Sequence, residues 1–186
     1  MFESRTYIDH LYQHLISTYD ENFAKILAVI KQASSEDQKI LVAGNGGNSA
    51  NAEHFVTDIT KGLFEANGVA LKATSLNSNS PRISAIANDL PKEDIFSFQL
   101  RMLEAGKGSV VILYSAGGNS INVLKAADTA RDLGAQTIGL IGGTSPILAN
   151  SFDFTIWTKS DDIQIVEDVH AVFGHLVYKS LRIEIN

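Results

Sequence analysis

The sequence predicts an α/β protein on a five-stranded parallel sheet, and three observations carry that expectation. Short apolar runs at residues 39–43, 69–74, 110–114, 137–141 and 154–157 have the length and unbroken hydrophobicity of strands buried on both faces. Helix-length segments separate them, and alternating β and α elements imply parallel strands joined by right-handed crossovers. Four of the strands run into loops rich in Gly, Ser, Thr and Asn, as expected at the carboxyl edge of an open sheet.

In chain order, Ile8, Leu11, Tyr12, Leu15, Ile16, Phe23, Ile26, Leu27 and Ile30 fall at helical spacing, which predicts one long amino-terminal helix over 5–33. Helices are expected at 50–63, at 82–88 with 95–103, at 121–133, and briefly near 146–150. The last segment, 163–185, again has helical periodicity through Ile165, Val166, Val169, Val172, Phe173, Leu176, Val177 and Leu181. No linker, repeat or low-complexity tract interrupts the chain, so residues 1–186 are expected to form one domain.

Length and composition limit the function classes. A chain of 186 residues with 45% hydrophobic and 19% charged residues buries a continuous core, and it is neither disordered, collagenous nor coiled-coil. The net charge of -6 is spread along the chain without a Lys/Arg run, which argues against nucleic-acid binding. Cysteine is absent, so disulfides, thiolate nucleophiles and Cys-based zinc knuckles are excluded and only His and carboxylates remain as strong metal ligands. No apolar stretch approaches the roughly 18 residues of a membrane span, so no membrane partner is expected and the cytoplasm is the expected location.

The loops point to the ligand. They read Gly44-Asn45-Gly46-Gly47-Asn48-Ser49, Ser75-Leu76-Asn77-Ser78-Asn79-Ser80, Ser115-Ala116-Gly117-Gly118-Asn119-Ser120 and Gly142-Gly143-Thr144-Ser145. Such residues offer backbone N–H groups, hydroxyls and amides without charge, and two loops open into helices whose positive ends attract anions. A phosphorylated, hydroxyl-rich small molecule fits. A dinucleotide does not, because Ser49 takes the third glycine position and no acid ends the second strand; nor does an NTP, because no Lys follows the glycines. Tight turning alone would account for one such loop but poorly for four.

Two pairs of residues carry candidate chemistry. His54 and Asp58 are four apart on one helix face, and Glu167 and His175 are two turns apart on the closing helix, with Gly174 leaving space between. Two nitrogens and two carboxylates suit a divalent metal such as zinc, and equally suit proton transfer between adjacent sugar carbons. Each pair alone is also an ordinary solvated helix contact. His10 and His14 have metal-like spacing without partners and read as surface residues, while Glu167-Asp168-Val169-His170 mimics half of a di-iron motif whose other half an α/β chain lacks.

These motifs together resemble a family. Gly44-Asn45-Gly46-Gly47 with Ala52-Glu53-His54, Ala85-Ile86-Ala87-Asn88-Asp89, the segment SAGGNSINVL at 115–124, and Glu167-Asp168-Val169-His170 with His175 are similar to the phosphoheptose isomerases of the sugar isomerase (SIS) fold. The resemblance implies a three-layer, flavodoxin-like αβα core over 35–186, with residues 1–34 serving oligomerisation. It implies a homotetramer with active sites at subunit interfaces, one zinc ion per subunit, and interconversion of sedoheptulose 7-phosphate and D-glycero-D-manno-heptose 7-phosphate. By position, His54 matches the family's helix histidine, His175 its catalytic histidine, Asp58 its catalytic glutamate and Glu167 its metal-binding glutamine, so the implied metal set is His54, Asp58, Glu167 and His175. The implied substrate contacts are Asn45, Gly46, Gly47 and Asn48 from the first loop, Asn79 from the second, Ser115, Gly117, Asn119 and Ser120 from the third, and Glu167. Ala116 and Gly117 stand where the family has hydroxyls, Asn48 where it has serine, and Asn79 where it often has aspartate. The competing readings are an isomerase of another sugar phosphate, and a noncatalytic SIS tetramer that binds another protein, resembling replication-initiator-associating proteins.

Overall fold

The computed structural model describes residues 3–19 and 21–184, so Asp20 and Ile185, which fall inside the expected first and last helices, lie outside the described residues. Five parallel strands, β1 (Ile40–Gly44), β2 (Ala73–Ser75), β3 (Val110–Ser115), β4 (Gln136–Gly142) and β5 (Phe154–Thr158), form one sheet in the order β2-β1-β3-β4-β5. This is the flavodoxin-like order, which reverses direction at β1 and β3 and opens a crevice at their carboxyl ends.

Strand parity sorts the core into two layers. Ile40 and Val42 of β1, with Val110, Ile112 and Tyr114 of β3, point to one face; Leu41, Ala43, Val111 and Leu113 point to the other. Every residue of β1 and β3 is buried, which is why these strands read as continuous apolar runs. The edge strand β2 is shorter than the expected 69–74. Gly68, with φ of 73°, ends the preceding helix, and the Leu71 amide bonds the Ile59 carbonyl instead of β1, so only three residues reach the sheet.

The long amino-terminal helix is the main correction. Residues 5–33 form two helices, α1 (Ser4–Thr18) and α2 (Glu21–Ser35), and the longest helix is the closing one. A straight helix over 5–33 would run about 44 Å, the full width of a domain this size. The break lets α1 lie along the closing helix while α2 packs beneath the sheet. Tyr19, extended at the break, donates its hydroxyl to the Val169 carbonyl and meets Phe23 edge-on at 5.8 Å.

Two further layers complete the fold. On the α2 side lie α3 (Gly47–Thr57), which passes through a π turn (Asp58–Gly62) into α4 (Leu63–Asn67), and later the closing helix. On the other side lie α5 (Ser80–Asp89), α6 (Ile95–Met102) and α7 (Ile121–Asp132), with 3₁₀ turns at Lys92–Asp94 and Ile147–Asn150. The closing helix, α8 (Ile163–Glu184), buries Val169, Phe173, Val177 and Leu181 at helical spacing against the first layer.

Candidate active site

The first glycine loop joins β1 to α3, and its amino-terminal N–H groups are already engaged. The Glu167 carboxylate reaches across from α8 and packs over Gly47, while the Asn48 backbone N–H bonds the Asn45 carbonyl at 3.1 Å. A Cβ at Gly47 would meet that carboxylate at 2.2 Å, so a larger residue there requires the Glu167 side chain to move. Burial pushes the Glu167 pKa up, while the Asn48 N–H opposes that shift by favouring the charged form.

Two turns along α3, His54 and Asp58 face His175 of α8. His54 Nε2 lies 3.6 Å from Asp58 Oδ2, the His54 and His175 rings meet edge-on with centroids 5.0 Å apart, and one ligand atom from each of the three lies within 4.8 Å of the others. The π turn begins at Asp58: the Leu63 N–H reaches back five residues to the Asp58 carbonyl, which widens the helix at the acid. Two imidazoles and a carboxylate at this spacing fit a divalent ion such as zinc with small side-chain adjustments and positions left open. Glu167 does not join this group. Its carboxylate packs at Gly47, two turns along α8 from His175, and is not among the ligand atoms that lie within 4.8 Å of one another.

The third loop, between β3 and α7, differs from the first. Ser115 Oγ donates to Ser120 Oγ at 3.1 Å, the Ser120 side chain does not cap α7, and Gly117 borders open space. Asn119 turns away, its Oδ1 accepting the Ile147 N–H at 2.8 Å. Gly118, at φ of 65°, packs against Pro146 and the Gly142 carbonyl where no side chain fits. Neither helix start is capped by its own N-cap side chain, but Glu167 packs over Gly47 at α3 whereas Gly117 before α7 borders open space. The two loops are clasped by a reciprocal amide pair, Asn45 with Asn122, at 2.9 Å in each direction, and Asn122 also lines a cavity of about 370 Å³ with Lys92, Glu93, Ile95 and Ile121.

Other expected residues take different positions. Asn79 caps α5, its Oδ1 accepting the Arg82 N–H at 2.9 Å. Asn48 is buried, and its Oδ1 meets His170 Nδ1 at 2.9 Å and Asn51 Nδ2 at 3.2 Å. Gly46 is exposed at the loop tip, and His10 and His14 on α1 join no metal-ligand group among the described residues. Sequence reasoning missed Asn51, Asn122 and His170. Asn51 had one available signal, its i+3 spacing from Asn48 on a helix.

Comparison with known proteins identifies this arrangement. Residues 5–142 match the SIS domain family. The chain belongs to that family. The SIS chain is 31% identical over 172 residues to a phosphoheptose isomerase of Aliarcobacter butzleri, covering 92% of this chain and 90% of that protein. It is 36% identical over 159 residues to a probable phosphoheptose isomerase of Thermoplasma acidophilum, covering 84% and 86%. Among solved structures it superposes on a phosphoheptose isomerase of Francisella tularensis with a TM-score of 0.85 at 26% identity, covering 94% of each chain. The SIS chain is thus an enzyme of the phosphoheptose isomerase group within its family.

Proposed function

We propose that this SIS chain interconverts sedoheptulose 7-phosphate and D-glycero-D-manno-heptose 7-phosphate through an ene-diol. The observation that carries the reading is the convergence of His54, Asp58 and His175 on one point between α3 and α8, in a chain whose relatives are named phosphoheptose isomerases. The uncapped start of α7 takes the phosphate, with Ser115, Gly117 and Ser120 as its hydroxyl and amide donors. Asn45, Gly46, Gly47 and Glu167 face the sugar hydroxyls. Asp58 removes the proton from one of the two reacting carbons and returns it to the other, and His175 moves the accompanying proton between their oxygens.

His54, Asp58 and His175 would hold a zinc ion, one per subunit, while Glu167 stays with the glycine loop. When bound, the ion polarises the substrate carbonyl and stabilises the negative oxygen that develops there. Asp58 has two carboxylate oxygens, so ligation by one leaves the other for the proton.

The enzyme works in the cytoplasm as a homotetramer with active sites at subunit interfaces. Ile8, Tyr12 and Ile16 support the tetramer, forming an exposed apolar row at i, i+4 and i+8 on α1. The deciding experiment incubates the purified protein with sedoheptulose 7-phosphate, with and without zinc or chelator, and follows aldose formation by NMR beside Asp58→Asn. Turnover lost in that variant supports the reading. A folded protein that turns nothing over under any condition overturns it in favour of another sugar phosphate or a partner-binding role.

A further inference from the structure

His170 is fully buried and takes no part in the proposed reaction, yet it sits at the end of a polar chain that leads to the site. Its Nδ1 is 2.9 Å from Asn48 Oδ1. That oxygen also accepts from Asn51 Nδ2, and Asn51 Nδ2 donates to the Glu167 carbonyl at 3.0 Å. Because the carbonyl end of Asn48 faces the ring, Nδ1 must carry the imidazole proton. Nε2 is then a bare acceptor, and it meets no hydrogen-bond partner among the described residues; neither does the hydroxyl of Tyr114, whose ring lies edge-on to His170 with centroids 5.6 Å apart. An orphaned ring nitrogen is costly to bury, so the value of this histidine lies at its Nδ1 end. Burial also pushes the His170 pKa down to about 3, which keeps the ring neutral and its single proton in place.

We propose that His170 is a positioning residue for Glu167: its Nδ1–H fixes the Asn48 side chain, that side chain holds Asn51, and Asn51 in turn holds the Glu167 backbone carbonyl, which seats the Glu167 carboxylate over the first glycine loop. Asn51 braces the same contact by tying the Asn48 side chain to the α8 backbone at Glu167. His170 lies one turn below Glu167 on α8, pointing into the core while Glu167 points to the loop. The relay therefore sets α8 against the start of α3 from the buried His170 and Asn48.

The test compares two polar substitutions in the full-length protein. Asn places its side-chain amide where Nδ1 was, whereas Gln places it at the Nε2 end. The ring ¹⁵N shifts of the wild type are expected to show Nδ1 protonated and Nε2 bare. Hydrogen exchange at the Asn48 amide is expected to rise at least tenfold in His170→Gln and to stay within about threefold of wild type in His170→Asn.

The kinetic arm rests on the isomerase reading. There His170→Gln is expected to lower kcat/KM by about tenfold, the low end for groups that orient a ligand. That loss should shrink to less than twofold when both proteins carry Glu167→Gln, since the effect acts through that carboxylate. An Nε2-protonated ring, an Asn48 amide indifferent to His170→Gln, or an undiminished loss in the Glu167→Gln background would each overturn the relay. Absence of turnover in the wild type counts against the isomerase reading alone, because the ring tautomer and the Asn48 amide are read without substrate.

Discussion

Gly47 shows how much a single residue controls here. Its missing side chain admits the Glu167 carboxylate to the start of α3, so Gly47→Ala must displace that carboxylate or the loop. The expected cost is about 1–3 kcal/mol, the range of an overpacked contact, together with weaker substrate binding; unchanged stability and KM in that variant would refute the close approach. The metal group is tested as simply. Stoichiometric zinc in the purified protein is expected to be lost in both His54→Ala and His175→Ala, while Glu167→Gln, whose carboxylate lies outside the group, retains it. Zinc lost in Glu167→Gln as well would return that residue to the ligand set. His54, Asp58 and His175 were legible in the sequence because i,i+4 spacing and the periodicity of one closing helix bring side chains to predictable faces. The separation of Glu167 from them was not legible, since a side chain's direction along a helix wheel says nothing about which part of another element it will pack against.

At the scale of elements, the two helices that leave β1 and β3 look alike in sequence and differ in function. The Glu167 carboxylate packs over Gly47 at one start, and Gly117 before the other borders open space. Inorganic phosphate is therefore expected to compete with substrate at α7, and Ser120→Ala to weaken that competition by roughly two- to tenfold, the effect of one hydrogen bond of about 0.5–1.5 kcal/mol. Equal inhibition of the two proteins would move the anion elsewhere. The break between α1 and α2 has a comparable handle. Tyr19→Phe removes the hydroxyl that bonds the Val169 carbonyl and is expected to lower Tm by about 2–4 °C for about 1 kcal/mol lost, and an unchanged Tm would mean that packing alone sets the break. No turn-forming pair marks that break in the sequence, and the apolar spacing continues across it, so periodicity could not reveal it.

The molecule as a whole carries a pH signature from His170. Its pKa falls from an ordinary histidine value to about 3 on folding, so the unfolded chain binds more protons between those limits and stability falls as pH drops from about 6.5 toward 3. The slope from this group is at most about 1.4 kcal/mol per pH unit. The stability advantage of the wild type over His170→Asn should therefore shrink with acidification, and a constant difference in denaturant midpoints across that range would contradict it. The exposed row on α1 belongs to the same scale: sedimentation should report a tetramer that Tyr12→Asp weakens, and a monomeric wild type would remove the shared-interface site. By itself the sequence determined the parallel sheet, the polar loops on one edge and the helix-face pairing of His54 with Asp58 that His175 joins. These follow from local rules, the hydrophobic period of each element and the geometry of one helix turn. Only the tertiary structure decided that the Glu167 carboxylate packs over Gly47, that Asn51 bonds the Glu167 carbonyl, and that His170 meets Asn48. Those contacts join residues more than 100 positions apart, and their partners are chosen by packing between layers, which no local pattern encodes.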